Sequence, residues 1–579
     1  MPACASAYMR LFYEIISSLQ HSCNDQAVLN SASMPVFRSR TPLRTASFAF
    51  SVALALLSGI LLDFPFPIAG PLPPWRAVFG WFALVPLLYG LLRPTNVASQ
   101  NYLRCCTIAA YLCGVLWYVL NCYWIYQTMT QYAQGVSPAG GVGILILFSL
   151  ILGLYFGLFG LVLAFLRRSS GGILAPLLVA PFLWTALELL AAHLTSVPWD
   201  QLGYSQVDNL LLTKLAPFTG TYGISFVVVA VNALLVAVLL TKNIHMRLRI
   251  GAGTLLLIVL LQLGSFTPSK PSPTSDYAVL LQPNLDVGAL NIWIGPEWDE
   301  HASWMLRQSL RTCNPANVGM PVPRAHLVSP DCAQNTPPPG VVVWPEAQSP
   351  LWSDDPRTIA LLRALATTAH APIIAGMLGH DQTGTYNSAV FTAANGDILG
   401  RYDKIHLVPF GEYIPYRKLF FFAHKLTQQL VDLQRGKKRE VFRSDGHAFG
   451  IFICYESVFA DEIRPFALNG AQVFVNVSDD GWYGDTSAPW QHLNMARMRA
   501  VENHRWILLD TNNGITAAID PKGRVTFSAP RNVDTSLVVR YGYESDLTFY
   551  TRYGDAFAYA CGIIVVGALL LFARRRRPV

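Results

Sequence analysis

Residues 447–456 read HAFGIFICYE, an apolar run that ends abruptly in residues able to do chemistry. The run predicts a buried β-strand, and Cys454 stands where that strand would turn into a helix. Such a turn exposes a side chain and points backbone N–H groups at it, which favours a nucleophile. The alternative is a structural cysteine, because free cysteine is among the most buried residue types. The stretch alone leaves both open.

Two other apolar runs also end in ionisable residues. VVVWPE at 341–346 places Glu346 at a strand end, where Pro345 stops the ladder. RYDKIHLVPFGEY at 401–413 places Lys404 among apolar residues, where its charge could stabilise a developing oxyanion. Taken alone, each is more simply a solvated surface residue. Similar runs alternate with helical patterns from about 275 to 545, and this alternation predicts a layered α/β domain with buried sheets.

The rest of the chain is dominated by apolar segments. Of 579 residues, 52% are hydrophobic and 13% charged, and the mean hydropathy is +0.35. These values exclude a disordered protein and argue against a wholly soluble one. A membrane-crossing helix needs roughly 20 apolar residues. Eight segments qualify, and we predict spans at 44–63, 76–92, 105–126, 140–166, 171–192, 222–241, 249–266 and 556–573.

The basic residues predict which way these spans face. With the N-terminus inside, 14 Lys and Arg fall in or beside the inner loops, and only Arg76 and Lys214 fall in the short outer ones. The net charge of +7 therefore concerns membrane orientation, and we expect no nucleic-acid partner. Both termini are predicted to be cytoplasmic and the α/β domain to lie outside, which in a bacterial inner membrane means the periplasm.

The three strand ends carry a family resemblance when they are taken together. Glu346, Lys404 and Cys454, in the motifs WPE, YDKxHLVPFGEY and CYE, resemble the nitrilase (carbon–nitrogen hydrolase) superfamily. With eight spans attached, the chain resembles one branch of it, apolipoprotein N-acyltransferase, over about 44–573. Further matching positions are Pro198-Trp199, Gly203-Tyr204-Ser205-Gln206, Asn476, Trp482-Tyr483-Gly484-Asp485, Gln491-His492-Leu493, Arg499-Ala500-Val501-Glu502 and Thr511-Asn512-Asn513.

The resemblance implies a domain plan and a fold. The predicted segments are a disordered tail over 1–43 whose true start is Met1 or Met34, a seven-helix membrane domain over 44–266, a linker over 267–275, a catalytic αββα sandwich over 276–548 and a last span over 556–573. Asp479-Asp480-Gly481 and Leu509-Asp510 depart from the usual family residues, and 313–339 reads as an insertion. We hypothesise a disulfide between Cys313 and Cys332, because a periplasmic domain folds under oxidising conditions.

The resemblance also implies the chemistry. A phospholipid would donate a fatty acyl group to Cys454 as a thioester, and the α-amine of a diacylglyceryl-cysteine lipoprotein would accept it, in ping-pong order. Glu346 would be the general base, and Lys404 with the backbone N–H after Cys454 would stabilise the oxyanion. The reaction needs no metal or cofactor, and we expect a monomer.

Several other residues are expected near the substrates. Glu412 and Glu456 are predicted to support the triad, and Tyr455, Trp199 and Tyr204 to line the substrate site. We expect Trp199 and Tyr204 to lie at headgroup level, as a gate or as ordinary aromatic anchors. Glu188 lies inside a span, where a carboxylate indicates a functional site; the simpler expectation is that it pairs with His193 one turn on.

Two functions from other classes remain open at this stage. One is a membrane-tethered amidase, which would use water in place of the amine. The other is an inactive scaffold, which the intact Glu346, Lys404 and Cys454 argue against.

Overall fold

A computed structural model describes most of the chain. The described residues are 42–94, 97–99, 101–133, 136–268, 270–287, 298–310, 322–323, 337–347, 352–409, 411–413 and 433–574. Cys313, Cys332 and most of the proposed insertion lie outside these ranges, so the disulfide stays a prediction. The first 41 residues and the last five also lie outside these ranges.

The first half of the chain is helical. Its helices are α1 Pro42–Leu61, α2 Val85–Leu92, α3 Tyr102–Asn121, α4 Trp124–Tyr132, α5 Pro138–Ser170, α6 Leu174–Thr195, α7 Ala216–Thr219, α8 Thr221–Leu240 and α9 Ile244–Gln262. Short 3₁₀ turns lie at Pro74–Trp81, Leu202–Gln206, Thr213–Leu215 and Leu263–Phe266.

Within the described residues, seven helical segments are long and apolar enough to cross a membrane, the last being Ala556–Arg574. The predicted count of eight is therefore approximate, because the first predicted span meets α1, whose apolar part Ser47–Leu61 is shorter than a membrane-crossing helix requires. The second span, Pro74–Leu92, is a 3₁₀ helix followed by α2. Pro86 lies in the first turn of α2, where its missing N–H costs no hydrogen bond.

The second half forms two sheets. The strands are β1 Asp276–Gln282, β2 Val322–Pro323, β3 Val341–Trp344, β4 Ile373–Asp381, β5 Gly384–Thr392, β6 Ile398–Asp403, β7 Val441–Ser444, β8 His447–Ile453, β9 Val473–Ser478, β10 Trp506–Thr511, β11 Ala517–Ile519, β12 Val525–Ser528 and β13 Thr535–Tyr541. The first sheet has the order β2-β13-β1-β3-β4-β5-β6 and the second β12-β11-β10-β9-β8-β7.

The sheets pack face to face with helices outside them. Phe391 of β5 stacks on Phe442 of the other sheet with ring centroids 5.2 Å apart. The helices are α10 Trp298–Ser309, α11 Pro356–Ala369, α12 Ala460–Leu468, α13 Ala488–Asn503, α14 Phe549–Tyr553 and the membrane helix α15 Ala556–Arg574. Leu362 of α11 packs on the first sheet and Phe466 of α12 on the second. The expected αββα sandwich is confirmed.

One end of the membrane helices carries the α/β domain. Tyr455 donates a hydrogen bond to the carbonyl of Ser196, just after α6. Gln491 of α13 donates to the side chain and carbonyl of Asn121, at the end of α3. The opposite ends of the helices carry arginines, such as Arg93 and Arg167. The two parts are thus joined through specific polar contacts.

The most buried of these contacts is an ion pair on α13. Arg499 and Glu502 are both fully buried, and Arg499 Nε lies 2.8 Å from Glu502 Oε2. Glu502 Oε1 accepts hydrogen bonds from the backbone N–H and the hydroxyl of Thr221, the first residue of α8. Arg499 donates to Tyr204 of the membrane part and to the carbonyl of Val458, beside the strand that ends at Cys454. The pair therefore clamps α8 to the catalytic domain.

Glu502→Ala should lower the free energy of unfolding by about 3–5 kcal/mol, because it leaves a buried guanidinium without its carboxylate. Thermal unfolding in detergent would show this as a lower apparent Tm. The double variant Arg499→Met/Glu502→Leu should recover much of the loss, since neither charge then remains buried. A Glu502→Ala protein with the parent Tm would show that the clamp does not stabilise the molecule.

Candidate active site

Glu346 is held by three donors at the end of β3. Its Oε1 accepts hydrogen bonds from Asn387 Nδ2 at 2.6 Å and Lys404 Nζ at 3.2 Å, and its Oε2 accepts from the backbone N–H of Asp479 at 2.8 Å. Gly376 of the neighbouring strand allows this position, because a Cβ there would lie 2.7 Å from the Glu346 Cα. The carboxylate is buried and its orientation is fixed from both sheets.

Lys404 follows β6 and lies between two carboxylates. Its Nζ donates to Glu412 Oε1 at 2.9 Å as well as to Glu346. Burial would lower the pKa of Lys404, but Glu346 and Glu412 outweigh burial and hold that pKa well above its ordinary value. The side chain is 1% exposed. Lys404 is therefore a fixed positive charge that water does not screen.

Cys454 occupies a strained turn between β8 and a 3₁₀ segment, Cys454–Val458. Its φ is +49°, a left-handed conformation that a non-glycine residue adopts only where its surroundings enforce it. The Cys454 carbonyl accepts from Asn476 Nδ2 at 3.4 Å and faces His492 Nε2 at 3.2 Å. The turn has the strand-to-helix geometry expected for a nucleophile.

The thiol of Cys454 is not a preformed thiolate. Burial and the Glu346 carboxylate raise its pKa well above the ordinary value, and Lys404 only partly opposes them. A thiol of this kind needs a base at the moment of attack. Glu346, whose charge acts on the pKa of this thiol, is the candidate for that base.

The alkylation rate of Cys454 should therefore keep rising with pH. The protonated thiol predominates below its pKa, so labelling by iodoacetamide at pH 7 should be more than about tenfold slower than for a free cysteine of pKa ~8.5. We expect no plateau below pH 9. Intact mass with peptide mapping between pH 6 and 10 measures this, and denatured protein is the control for reagent access. A plateau below pH 8 would instead indicate a thiolate paired with Lys404.

Glu456 acts on the backbone around the site. Its two oxygens accept from the N–H groups of Ile453 at 2.7 Å, Ile405 at 2.7 Å and His406 at 3.0 Å. It also accepts from the Tyr402 hydroxyl at 2.8 Å. Glu456 thus ties the segment that carries Lys404 to the strand that precedes Cys454.

Two residues that shape the site were not predicted from the sequence. Asn387 donates to both Glu346 and Glu412, and it lies beside Lys404 because the β5–β6 register pairs Ser388 with Asp403. His492 lies 3.0 Å from Asp480 Oδ1 and 2.6 Å from Ser457 Oγ, directly behind the Cys454 carbonyl. In the sequence, Asn387 is marked only as a polar residue inside an otherwise apolar strand. His492 is marked only by its place in a family motif to which no role was assigned.

The aromatic residues expected near substrate lie between the two parts of the molecule. Trp199 is 3% and Tyr204 1% exposed, so neither is an open interfacial anchor. Trp199 donates to Gln491 Oε1 at 2.8 Å and stacks on Tyr455 with centroids 6.3 Å apart. The structure brings Trp199 and Tyr455 next to the Cys454 turn, whereas the Tyr204 hydroxyl accepts a hydrogen bond from Arg499.

The expected pairing of Glu188 with His193 is wrong. Glu188 Oε1 accepts from Trp184 Nε1 and from the backbone N–H of Leu202, both at 2.8 Å, and His193 Nδ1 faces the carbonyl of Leu189. The backbone N–H at the start of the Leu202–Gln206 turn binds the Glu188 carboxylate in place of His193. The spacing of residues in the sequence does not reveal this contact.

In the part of the chain that the structure describes, the one cluster of histidine and acidic side chains close enough to share a cation is His504, Glu544 and Asp546, none of which belongs to the Glu346, Lys404 and Cys454 group. Between Glu346 and Glu412 the Lys404 ammonium itself occupies the position that a cation would take. The site is therefore equipped for nucleophilic acyl chemistry with its own side chains.

Comparison with known proteins divides the chain in the same way. Residues 58–234 match the family described as apolipoprotein N-acyltransferase N-terminal domain, and residues 325–540 match carbon-nitrogen hydrolase. The apolipoprotein N-acyltransferase of Geobacter metallireducens is 32% identical over 543 residues, covering 91% of this chain and 96% of that protein. The protein of the same name from Methylococcus capsulatus is 30% identical, covering 91% and 97%.

Proposed function

The chain belongs to the apolipoprotein N-acyltransferase family, and from this premise we propose that it N-acylates lipoproteins through a thioester on Cys454. The observation that carries the thioester is the geometry of the turn. A buried cysteine at positive φ lies beside a fixed carboxylate and a fixed ammonium, with Tyr455 anchored to the membrane part. This arrangement suits an acyl donor that arrives from a bilayer.

In the first half-reaction Glu346 takes the proton of the Cys454 thiol. The sulfur attacks the ester carbonyl of a phospholipid, and the negative charge develops on the carbonyl oxygen. The Lys404 ammonium and the backbone N–H of Tyr455 stabilise that charge. Collapse breaks the C–O bond, and the leaving alkoxide takes the proton from Glu346 as lysophospholipid.

In the second half-reaction the acceptor is the α-amine of a diacylglyceryl-cysteine. The amine gives its proton to Glu346 and attacks the thioester carbon, so a C–N bond forms. Collapse breaks the C–S bond, and the sulfur recovers the proton from Glu346. The triad is almost completely buried, which disfavours water as the acceptor.

Intact mass spectrometry of the detergent-purified protein tests this proposal. Phospholipid alone should add one acyl mass and release about one lysophospholipid per enzyme, and an acceptor lipopeptide should remove the adduct. The amidase alternative predicts turnover of a small amide with water and without any acceptor. Turnover of that kind, or a protein that never gains the acyl mass, would contradict the proposal.

We also propose that the catalytic domain faces the periplasm. This rests on the basic residues at the ends of the membrane helices opposite to that domain, among them Arg104, Arg168 and Lys242. Reporter fusions at Ser272 and after Val579 should report opposite compartments, periplasm and cytoplasm. The same compartment at both points would mean that the number of spans between them is wrong.

A further inference from the structure

A small cavity lies within the membrane part, just below Trp199. It has a volume of about 50 Å³ and is enclosed by α3, α5, α6 and the segment 197–201. Its walls are largely aromatic, and the carboxylates of Glu188 and Asp200 also line it. A water needs about 10–15 Å³ of such space, so the cavity can admit a group of a few heavy atoms. We refer to it as the acid–aromatic cavity.

Asp200 is the carboxyl group of this wall whose hydrogen-bonding capacity is least used. It is 1% exposed, and no donor in the described part of the chain meets hydrogen-bond geometry with either of its carboxylate oxygens. The Asn121 side-chain amide approaches it and partly offsets the effect of burial, which raises the pKa of Asp200 to about 8. An adjacent cation would favour the ionised carboxylate at neutral pH. A buried carboxyl group with no donor in full hydrogen-bond geometry is costly, and such a group commonly marks a missing partner.

The side chains that line the cavity favour a positively charged partner. The residues around the acid–aromatic cavity include two carboxyl groups and no lysine or arginine, so they favour a cation over a phosphate. Trp117, Trp184 and Trp199 contribute aromatic side chains to the lining, and aromatic rings attract ammonium groups. A hard metal ion instead requires six or more oxygen ligands, which this wall does not offer.

We propose that Asp200 and the aromatic wall bind the primary ammonium group of a lipid substrate. The inference rests on the proposed function, in which the acceptor carries an α-ammonium; an ethanolamine headgroup on the phospholipid donor would be a second group of this kind. Trp199 connects the cavity to the catalytic turn, because this side chain lines the cavity and also contacts Tyr455 and Gln491. An ammonium held here would keep the rest of the lipid on the membrane side of Cys454.

Binding to the full-length Cys454→Ala protein tests this without requiring any chemistry, so the result does not depend on whether the thioester proposal holds. The probes are lysophosphatidylethanolamine, lysophosphatidylglycerol, and a diacylglyceryl lipopeptide with its α-amine free or acetylated. Asp200→Asn is compared with Asp200→Glu, which restores the charge. Asp397→Asn, on an exposed turn, is the control for losing one carboxylate.

Asp200→Asn should weaken binding of one amine probe about tenfold, the scale of a desolvated cation–aromatic and charge contact. Loss of lysophosphatidylethanolamine binding identifies the headgroup, and loss of free-amine lipopeptide binding identifies the acceptor. The amine-free partner of that probe should be unaffected, and Asp200→Glu should recover most of the affinity. Unchanged binding of both amine probes, or equal weakening of a probe and its amine-free partner, would overturn the proposal.

Discussion

Replacing Cys454 by alanine should abolish both the acyl adduct and lipoprotein acylation, with a loss of at least about 10⁴-fold. The sulfur forms the bond on which both half-reactions depend, and neighbouring groups cannot substitute for it. Alanine also fits the left-handed turn no worse than cysteine, so the fold should be retained. Intact mass after incubation with phospholipid measures the adduct, and gel filtration measures folding.

A second cysteine of the chain provides the matched control. Cys561 is buried in α15, and Cys561→Ala should retain the adduct and the activity. Cys454→Ser should be almost as inactive as Cys454→Ala, because a hydroxyl ionises far less readily than a thiol. An acyl mass on the Cys454→Ala protein would assign the nucleophile to another residue, and the mechanism proposed here would then be wrong.

The candidate catalytic residues could be recognised in the sequence because Glu346 and Cys454 each follow an apolar strand and Lys404 lies among apolar residues. Glu346, Lys404 and Cys454 follow β3, β6 and β8, and the structure brings Glu346 and Lys404 into hydrogen-bond contact. Their supports could not be recognised in the same way. The third donor to Glu346 is a backbone N–H, of Asp479, and any residue except proline provides one. Asn387 is placed by the register between two strands, which local sequence does not specify.

The membrane part was predictable as a set of apolar segments but not in its irregularities. The sequence located the spans through their length and the basic residues at their ends. Trp199 and Tyr204 looked like exposed interfacial aromatics, yet they are buried because the catalytic domain packs over them. Glu188 caps the turn that begins at Leu202. In both cases the side chain contacts a residue distant in sequence, and the prediction made from neighbouring residues was therefore wrong.

Glu346→Gln should change two rates at Cys454 in opposite directions, which distinguishes a general base from a structural residue. Formation of the acyl adduct should fall by about 10²–10⁴-fold, because glutamine cannot accept the thiol proton. Alkylation by iodoacetamide near pH 8 should become faster. Burial and Glu346 raise the pKa of Cys454 whereas Lys404 lowers it. Removing the carboxylate therefore lowers that pKa and increases the thiolate fraction, although burial still acts on the thiol.

Both rates are measured on the same preparation by intact mass, with Glu440→Gln as a control that removes an exposed carboxylate elsewhere in the domain. That control should change neither rate by more than about twofold, the scale of a surface substitution. If adduct formation and alkylation fell together in Glu346→Gln, the site would have lost its geometry, and the base would remain unassigned. A thiol that reacts faster with a small electrophile but no longer with phospholipid lacks only the proton acceptor, because its nucleophilicity and its access are both intact.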